Sequence, residues 1–313
     1  MRIDEERLAR LALIWSEAVG PAGLARLISY FGSATAVLTA SKEELGRPAL
    51  KLRPQQVDQI ATLRERLGEF EQLWSEARNH LIRVIFDDAP EYPTPLVDIP
   101  NRPPVLSIYG NWLRVDDPAV AIVGTRSPTE EGVELAGAIA AACARQRVTV
   151  VSGLARGIDE AAHKAAIRGG GRTLGVVGSG ILALAGQTAA LAREVASRGA
   201  LISELAPFTP ASSARLIARN RIISGLARVV VVVQSRSQGG AMHAAEYALR
   251  QGRVLCAVRW PDDVPQGKGP AQLISKGAVV VSSPEDVLEV VERVRRGAMP
   301  TRPVQPRLLN TEE

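Results

Sequence analysis

Residues 150–163 read VVSGLARGIDEAAH: an apolar run, a tight loop carrying Gly153, Arg156 and Gly157, then a helix start bearing Asp159 and His163. Glycines at a strand-to-helix junction let the backbone turn sharply or let a ligand come close. An arginine between them points to an anion as that ligand. Ser152, the last residue of the run, is counted with the same candidate set. Asp159 is placed to hold loop amides, and His163, one helical turn on, to brace helix against loop.

The same unit recurs along the chain. After residue 118, strand-like runs (AVAIVG, VTVVSG, TLGVVG, ALISE, VVVVVQ, VLCAV, AVVVS) alternate with helical patterns over 130–145, 157–169, 188–198, 213–226, 241–251 and 284–295. Apolar strands separated by helices predict an α/β fold, a mostly parallel sheet with helices on both faces. In such sheets ligands gather at the carboxyl ends of the strands. Upstream, 1–78 reads as short helices. DEERLARLALIWSEA has helical spacing, VGPAGLARLISYFGS reads as turn, helix and a stop at Gly32, and Ser41 with Glu44 forms a capping-box pattern. The VGPAGLARLISYFG segment fits either a helix-turn unit against DNA backbone or a small interaction bundle. The texture changes at His80, so 79–118 is read as a proline-rich connector with two strands, LIRVIF and VLSIYGN. The domain with the parallel sheet is assigned to 119–295, and 296–313 to a flexible tail.

The chain has 313 residues, 46% of them hydrophobic, and a net charge of +5. Cys143 and Cys256 lie in apolar surroundings and read as core. The histidines His80, His163 and His243 are scattered, which argues against a metal centre. With no signal pattern and no membrane-length apolar run, a cytoplasmic protein is expected, with no membrane contact. The charge is uneven: between Ala161 and Ala245 ten basic residues stand against two acids. Arg215, Arg219 and Arg221 crowd one short segment there, which favours a phosphate-rich partner.

Two further loops suit a phosphate. AIVGTRSPTEEG places Gly124, Thr125 and Arg126 after a strand: close approach, a hydroxyl and a guanidinium fork. LIARNRIISGLA places Arg219, Asn220 and Arg221 ahead of the VVVVV strand. A competing motif is TLGVVGSGILALAG, where Gly178, Gly180 and Ala183 form a dinucleotide fingerprint, with Glu204 as the ribose acid. That fingerprint belongs on the first strand of its domain, and here two glycine loops precede it.

Taken together, VAIVGTRSPTEEG, VVSGLARGIDEAAHKAAIRGGGRTLGVVGSG, LISE, ARNRIISGL and GPAQLISKGA resemble the DNA-processing protein A (DprA/Smf) family in order and spacing across most of the chain. The resemblance implies an extended Rossmann-like domain preceded by a small all-helical (SAM-like) one. It also implies single-stranded DNA as ligand, a role in DNA uptake and recombination, loading of a RecA-type recombinase, and a homodimer. No catalysis and no cofactor are expected. By motif match, Gly124, Thr125, Arg126, Ser152, Gly153, Arg156, Gly157, Arg219, Asn220, Arg221, Gly239 and Gly240 would grip phosphate, with Asp159 and His163 bracing. The chain departs from the family pattern at Gly239 and Ala244, where hydroxyls are usual, and at Gln234, where a glutamate is. By the same comparison of pattern, the C-terminal winged helix of many members is not expected.

Two alternatives stay open. QGGAMHAAE echoes a phosphoribohydrolase motif with Glu246 at the glutamate position, and the same loops would serve a mononucleotide sensor. With aromatics at 4%, Trp112, Phe208 and Trp260 are the candidates for base stacking.

Overall fold

The computed structural model describes residues 3–299; from 300 on, the expected tail lies outside the described residues. The chain opens with α1 (Glu5–Trp15), α2 (Pro21–Phe31), α3 (Ala34–Thr39), α4 (Lys42–Leu45), α5 (Pro54–Leu63) and α6 (Leu67–Asn79). Short polar side chains ahead of apolar runs cap the starts of α1, α3 and α4. Asp4 accepts from the Arg7 amide at 2.8 Å, Ser33 caps α3, and Ser41 with Glu44 closes a capping box on α4. Glu6 reaches across to the amides of Ala34 (2.8 Å) and Thr35 (3.0 Å), a carboxylate at the positive end of α3. The apolar faces meet in one core around Leu11, Leu24, Leu27 and Ile60, which Phe86, Val105 and Ala206 join from the sheet domain.

The sheet has nine strands: β1 (Ile82–Phe86), β2 (Val105–Gly110), β3 (Ala119–Val123), β4 (Thr149–Ser152), β5 (Thr173–Val176), β6 (Ala200–Ser203), β7 (Val229–Val232), β8 (Val254–Val258) and β9 (Val279–Val281). Their order is β1-β2-β6-β5-β4-β3-β7-β8-β9. β3 to β9 run parallel, while β1 and β2 add antiparallel on one side. The helices between the parallel strands are α7 (Glu130–Arg145), α8 (Ile158–Arg168), α9 (Gly186–Arg198), α10 (Ser213–Leu226), α11 (Gly240–Arg250), α12 (Lys268–Ser275) and α13 (Pro284–Arg295).

Alternation along the strands explains their continuous apolar sequence. On β3, Val120 and Ile122 meet α7 and α8 on one face, while Ala119, Ala121 and Val123 meet α10 and α11 on the other. Both cysteines are buried, and burial pushes each thiol up to about 12. The reading of the sequence placed no helix between β8 and β9, yet α12 is there. Gly269 and Pro270 would disfavour a helix interior, but both sit in its first turn, where a missing N–H costs no hydrogen bond.

Strands β3 to β6 wind outward in one direction and β7 to β9 in the other, so the chain switches direction between β3 and β7. The loops at the carboxyl ends of those two strands part there and leave a crevice.

Candidate functional site

That crevice is a cavity of about 400 Å³. The loop after β3 contributes Gly124, Thr125 and Arg126, and α8 contributes Asp159. Helix α10 supplies Arg219 and Asn220, and the loop after β7 supplies Arg236, Gly239 and Gly240. Gln234, fully buried at the end of β7, ties these loops together. Its carbonyl accepts from Thr125 N at 2.7 Å, and its side chain exchanges two 2.9 Å hydrogen bonds with Thr129, the N-cap of α7.

Arg219 is the central cation, 5% exposed. Its Nη1 donates to Val176 O at 3.0 Å and its Nε to Leu216 O at 3.3 Å. The guanidinium lies over Gly153, where any Cβ would collide with it. Burial pulls the Arg219 pKa down; Asp159 opposes that and Arg126 adds to it. Burial pushes the Asp159 carboxyl up, with Arg219 as the main opposing charge. Asp159 Oδ2 accepts from the Gly153 amide at 3.2 Å, so the one acid in the cavity wall is also a loop tether.

His163 lies behind the loop, fully buried. Its Nδ1 is 2.7 Å from Thr173 Oγ1. Thr173 spends its hydroxyl proton on Val150 O at 2.9 Å, which leaves Nδ1 as the donor to it. Burial, with the Arg219 charge, pushes His163 down to about 3, so the ring is neutral.

The other expected residues divide. Ser152 is buried and donates to Ile122 O at 2.6 Å, away from the cavity. Gly157 has φ +87, and its open side abuts Thr125 O and Pro128, which lets the loops after β3 and β4 touch. Arg156 is exposed and outside the cavity wall. Asn220 Nδ2 donates to Gly240 O at 3.1 Å, joining α10 to the start of α11. Arg221 corrects the expectation of flanking arginines. It forks onto Glu204, donates to Asn101 O at 3.0 Å, and lines a different cavity. Two residues along a helix are roughly 200° apart, so only Arg219 reaches the switch-point cavity, while both arginines border the neighbouring one.

The same ion pair removes Glu204 from the dinucleotide reading. The space over Gly180 is filled by the carbonyls of Ala206 and Pro207, and only a three-residue 3-10 turn, Ile181–Ala183, follows it before α9 starts at Gly186. Glu246 pairs with Arg250 on α11 and does not line the cavity, which leaves the hydrolase motif without its carboxylate. Of the stacking candidates, Trp260 turns its Nε1 inward to Val233 O at 2.7 Å and Trp112 packs on the core. Phe208 is exposed but outside the cavity wall.

Sequence reasoning missed Arg236, Ser213 and Ser235, which line the cavity too. The signal for Arg236 was present: QSRSQGG follows a strand and carries both an arginine and glycines, as the two earlier loops do. Gly239 also has a local reason, because a Cβ there would meet Ser235 Oγ. Among the described residues no group of three or more His, Cys, Asp or Glu is placed to hold a metal ion, and no helix is long and apolar enough to cross a membrane.

Comparison with known proteins gives the family. Residues 83–292 match the DNA recombination-mediator protein A family, and residues 4–53 match the DprA-like N-terminal HHH domain. Protein Smf of Synechocystis is 34% identical over 88% of this chain, which spans 71% of that protein; the chain spans 58% of Protein Smf of Escherichia coli. The crystal structure of DNA processing protein A (DprA) from Streptococcus pneumoniae superposes with a TM-score of 0.73 at 25% identity, covering 92% of this chain and 98% of that one. The Helicobacter pylori DNA processing protein A shares the fold, with a TM-score of 0.61 at 22% identity, covering 69% of this chain and 98% of that one. The matches over the helical N-terminus and the sheet domain show that this chain belongs to the DNA recombination-mediator protein A family.

Proposed function

We propose that the switch-point cavity grips the sugar–phosphate backbone of single-stranded DNA and that the protein acts in DNA uptake and homologous recombination. The observation that carries this reading is the convergence of Arg126, Arg219 and Arg236 on one crevice with a single acid, Asp159, in its wall. Helix α11 opens onto the same crevice through Gly239 and Gly240, with no side-chain cap over its first amides. Arginine forks and a helix N-terminus both suit phosphate oxygens and read no base. The H. pylori protein of like fold binds single-stranded DNA.

In this reading the protein holds its ligand without transforming it. Asp159 and His163, the two groups nearest to general acid–base chemistry, are committed to the loop amide and to Thr173. Residues 119–295 form the DNA-gripping domain, 1–78 serve as an accessory helical unit, and 79–118 join the two. The bound strand passes to a RecA-type recombinase, two copies of the chain act together, and the cytoplasm is the site of action.

The test is fluorescence anisotropy of a labelled oligothymidine against a duplex of equal length, over a salt series. The reading expects a preference for the single strand and a log–log salt slope of roughly −0.7 per phosphate held. No binding at low salt, together with stoichiometric uptake of a mononucleotide, would instead make the cavity a nucleotide sensor.

A further inference from the structure

Among the described residues, the outer strand β1 pairs on one side only, with β2. Just past its end the Asp87 amide donates to Pro104 O at 3.1 Å, which fixes the phase of the antiparallel ladder. Counting back from Asp87, Arg83 and Ile85 bond to β2, while Ile82, Val84 and Phe86 turn their main-chain groups to the open edge. Phe86 O is taken by the Ala89 amide at 3.0 Å. The N–H and C=O of Ile82 and Val84 face outward.

This edge forms one wall of a groove of about 1030 Å³. The groove is strongly basic: Arg7, Arg78, Arg83 and Arg193 line it against one acid, Glu91. Arg78 lies 4.7 Å over the Trp74 ring and Arg7 5.3 Å over the Phe86 ring, while Arg83 and Arg193 are exposed. Ile82, Tyr109 and Arg193 also border a second cavity of about 350 Å³, whose remaining wall is largely apolar and includes Ile181, Leu182 and Leu184. Neither cavity shares a lining residue with the switch-point cavity.

We propose that this edge is a docking site for an acidic, extended peptide segment of a partner protein, which adds to β1 as a further strand. Its carboxylates lie against Arg83 and Arg193, and one large apolar side chain enters the cavity behind Tyr109. An edge strand offers alternating N–H and C=O groups, the complement of another peptide backbone, and strand addition takes its affinity from those bonds and its specificity from side-chain pockets. A nucleic-acid strand would set phosphates against the outward carbonyls. The Trp74 and Phe86 rings, 8% and 4% exposed, are covered by arginines and not open to bases. Charge and main-chain pattern together favour the peptide.

The probe is a fluorescein-labelled peptide of alternating aspartate and valine ending in phenylalanine, titrated onto the full chain, with oligothymidine in parallel. Wild type is expected to bind the peptide saturably and to bind it less well when the terminal phenylalanine is replaced by serine. Val84→Pro removes an outward N–H and leaves the bonds to β2 intact, as an edge strand tolerates. It should weaken the peptide about tenfold or more while circular dichroism and oligothymidine binding hold. The pair Arg83→Glu and Arg193→Glu should do the same, and it carries the comparison if Val84→Pro fails to fold, since both residues are exposed. The proposal is overturned if wild type shows no saturable binding or if neither variant changes it. It is also overturned if oligothymidine displaces the peptide and itself loses affinity on charge reversal, which would make the groove a nucleic-acid track.

Discussion

The guanidinium of Arg219 occupies the space that a side chain on Gly153 would need. The glycine of the loop after β4 and the arginine of α10 are thus one feature: the first leaves the slot and the second fills it. Gly153→Ala is expected to displace Arg219 at an overpacking cost of about 1–3 kcal/mol, read as a lower urea midpoint. The same variant should bind oligothymidine more weakly than its residual stability explains. Wild-type affinity in a folded Gly153→Ala protein would show that Arg219 does not act from this position.

Arg126 and Arg236 are exposed and line the cavity from the loops after β3 and β7. Arg126→Ala and Arg236→Ala should each leave the melting temperature nearly unchanged. Each should also lower the magnitude of the salt slope for single-stranded DNA by roughly 0.7. A slope that stays at the wild-type value in both would remove these residues from the phosphate contacts.

Arg221 should behave differently from its neighbour two residues away. Its side chain is 7% exposed and paired with Glu204 at 15%. Arg221→Ala strands that carboxylate and should cost about 3 kcal/mol in urea unfolding. The salt slope of the remaining folded protein should match wild type. A reduced slope with little loss of stability would place Arg221 on the DNA after all.

The neutral His163 gives stability a pH dependence of known sign. Its folded-state pKa, about 3, lies below the unfolded value of about 6.5, so acid protonates the unfolded chain first. Its contribution is whole above about pH 6.5 and falls as pH drops toward 3, by up to about 1.4 kcal/mol per unit. Asp159, whose carboxyl burial pushes up, acts in the opposite sense. The informative quantity is therefore the difference between wild type and His163→Gln. Between about pH 7 and pH 5 wild type should lose about 2 kcal/mol more than the variant. Parallel curves would mean that the ring takes up its proton in the folded protein as readily as in the unfolded chain.

Much of the fold was legible because its signals are local. Strand runs such as AVAIVG and VVVVVQ, and caps such as Ser41 with Glu44, sit in windows of a few residues, and the structure has an element at each. The turns after β3 and β4 were legible for the same reason, since glycines after an apolar run mark a sharp turn at close range, although Arg156 in the second lies outside the cavity wall. Helix α12 was not, because Gly269 and Pro270 carry opposite meanings in a helix interior and in a first turn, and only the finished element says which applies.

Partnerships across the chain were beyond the sequence. Adjacency made Arg219 and Arg221 look like one patch, and helical rotation sent one to the cavity and the other to Glu204. The string G-x-G-x-x-A looked like a nucleotide cradle until Ala206 and Pro207 filled the space over Gly180. The order of apolar and polar residues by itself determined the α/β class, the helical preface and the glycine–arginine loops, since backbone propensity and periodicity act over short range. Which charges face the crevice, which are spent inside the protein and which line the open edge of β1 was decided only by tertiary structure. A side chain's partner depends on where the sheet order and helix rotation bring distant segments together, and no short window of sequence contains that.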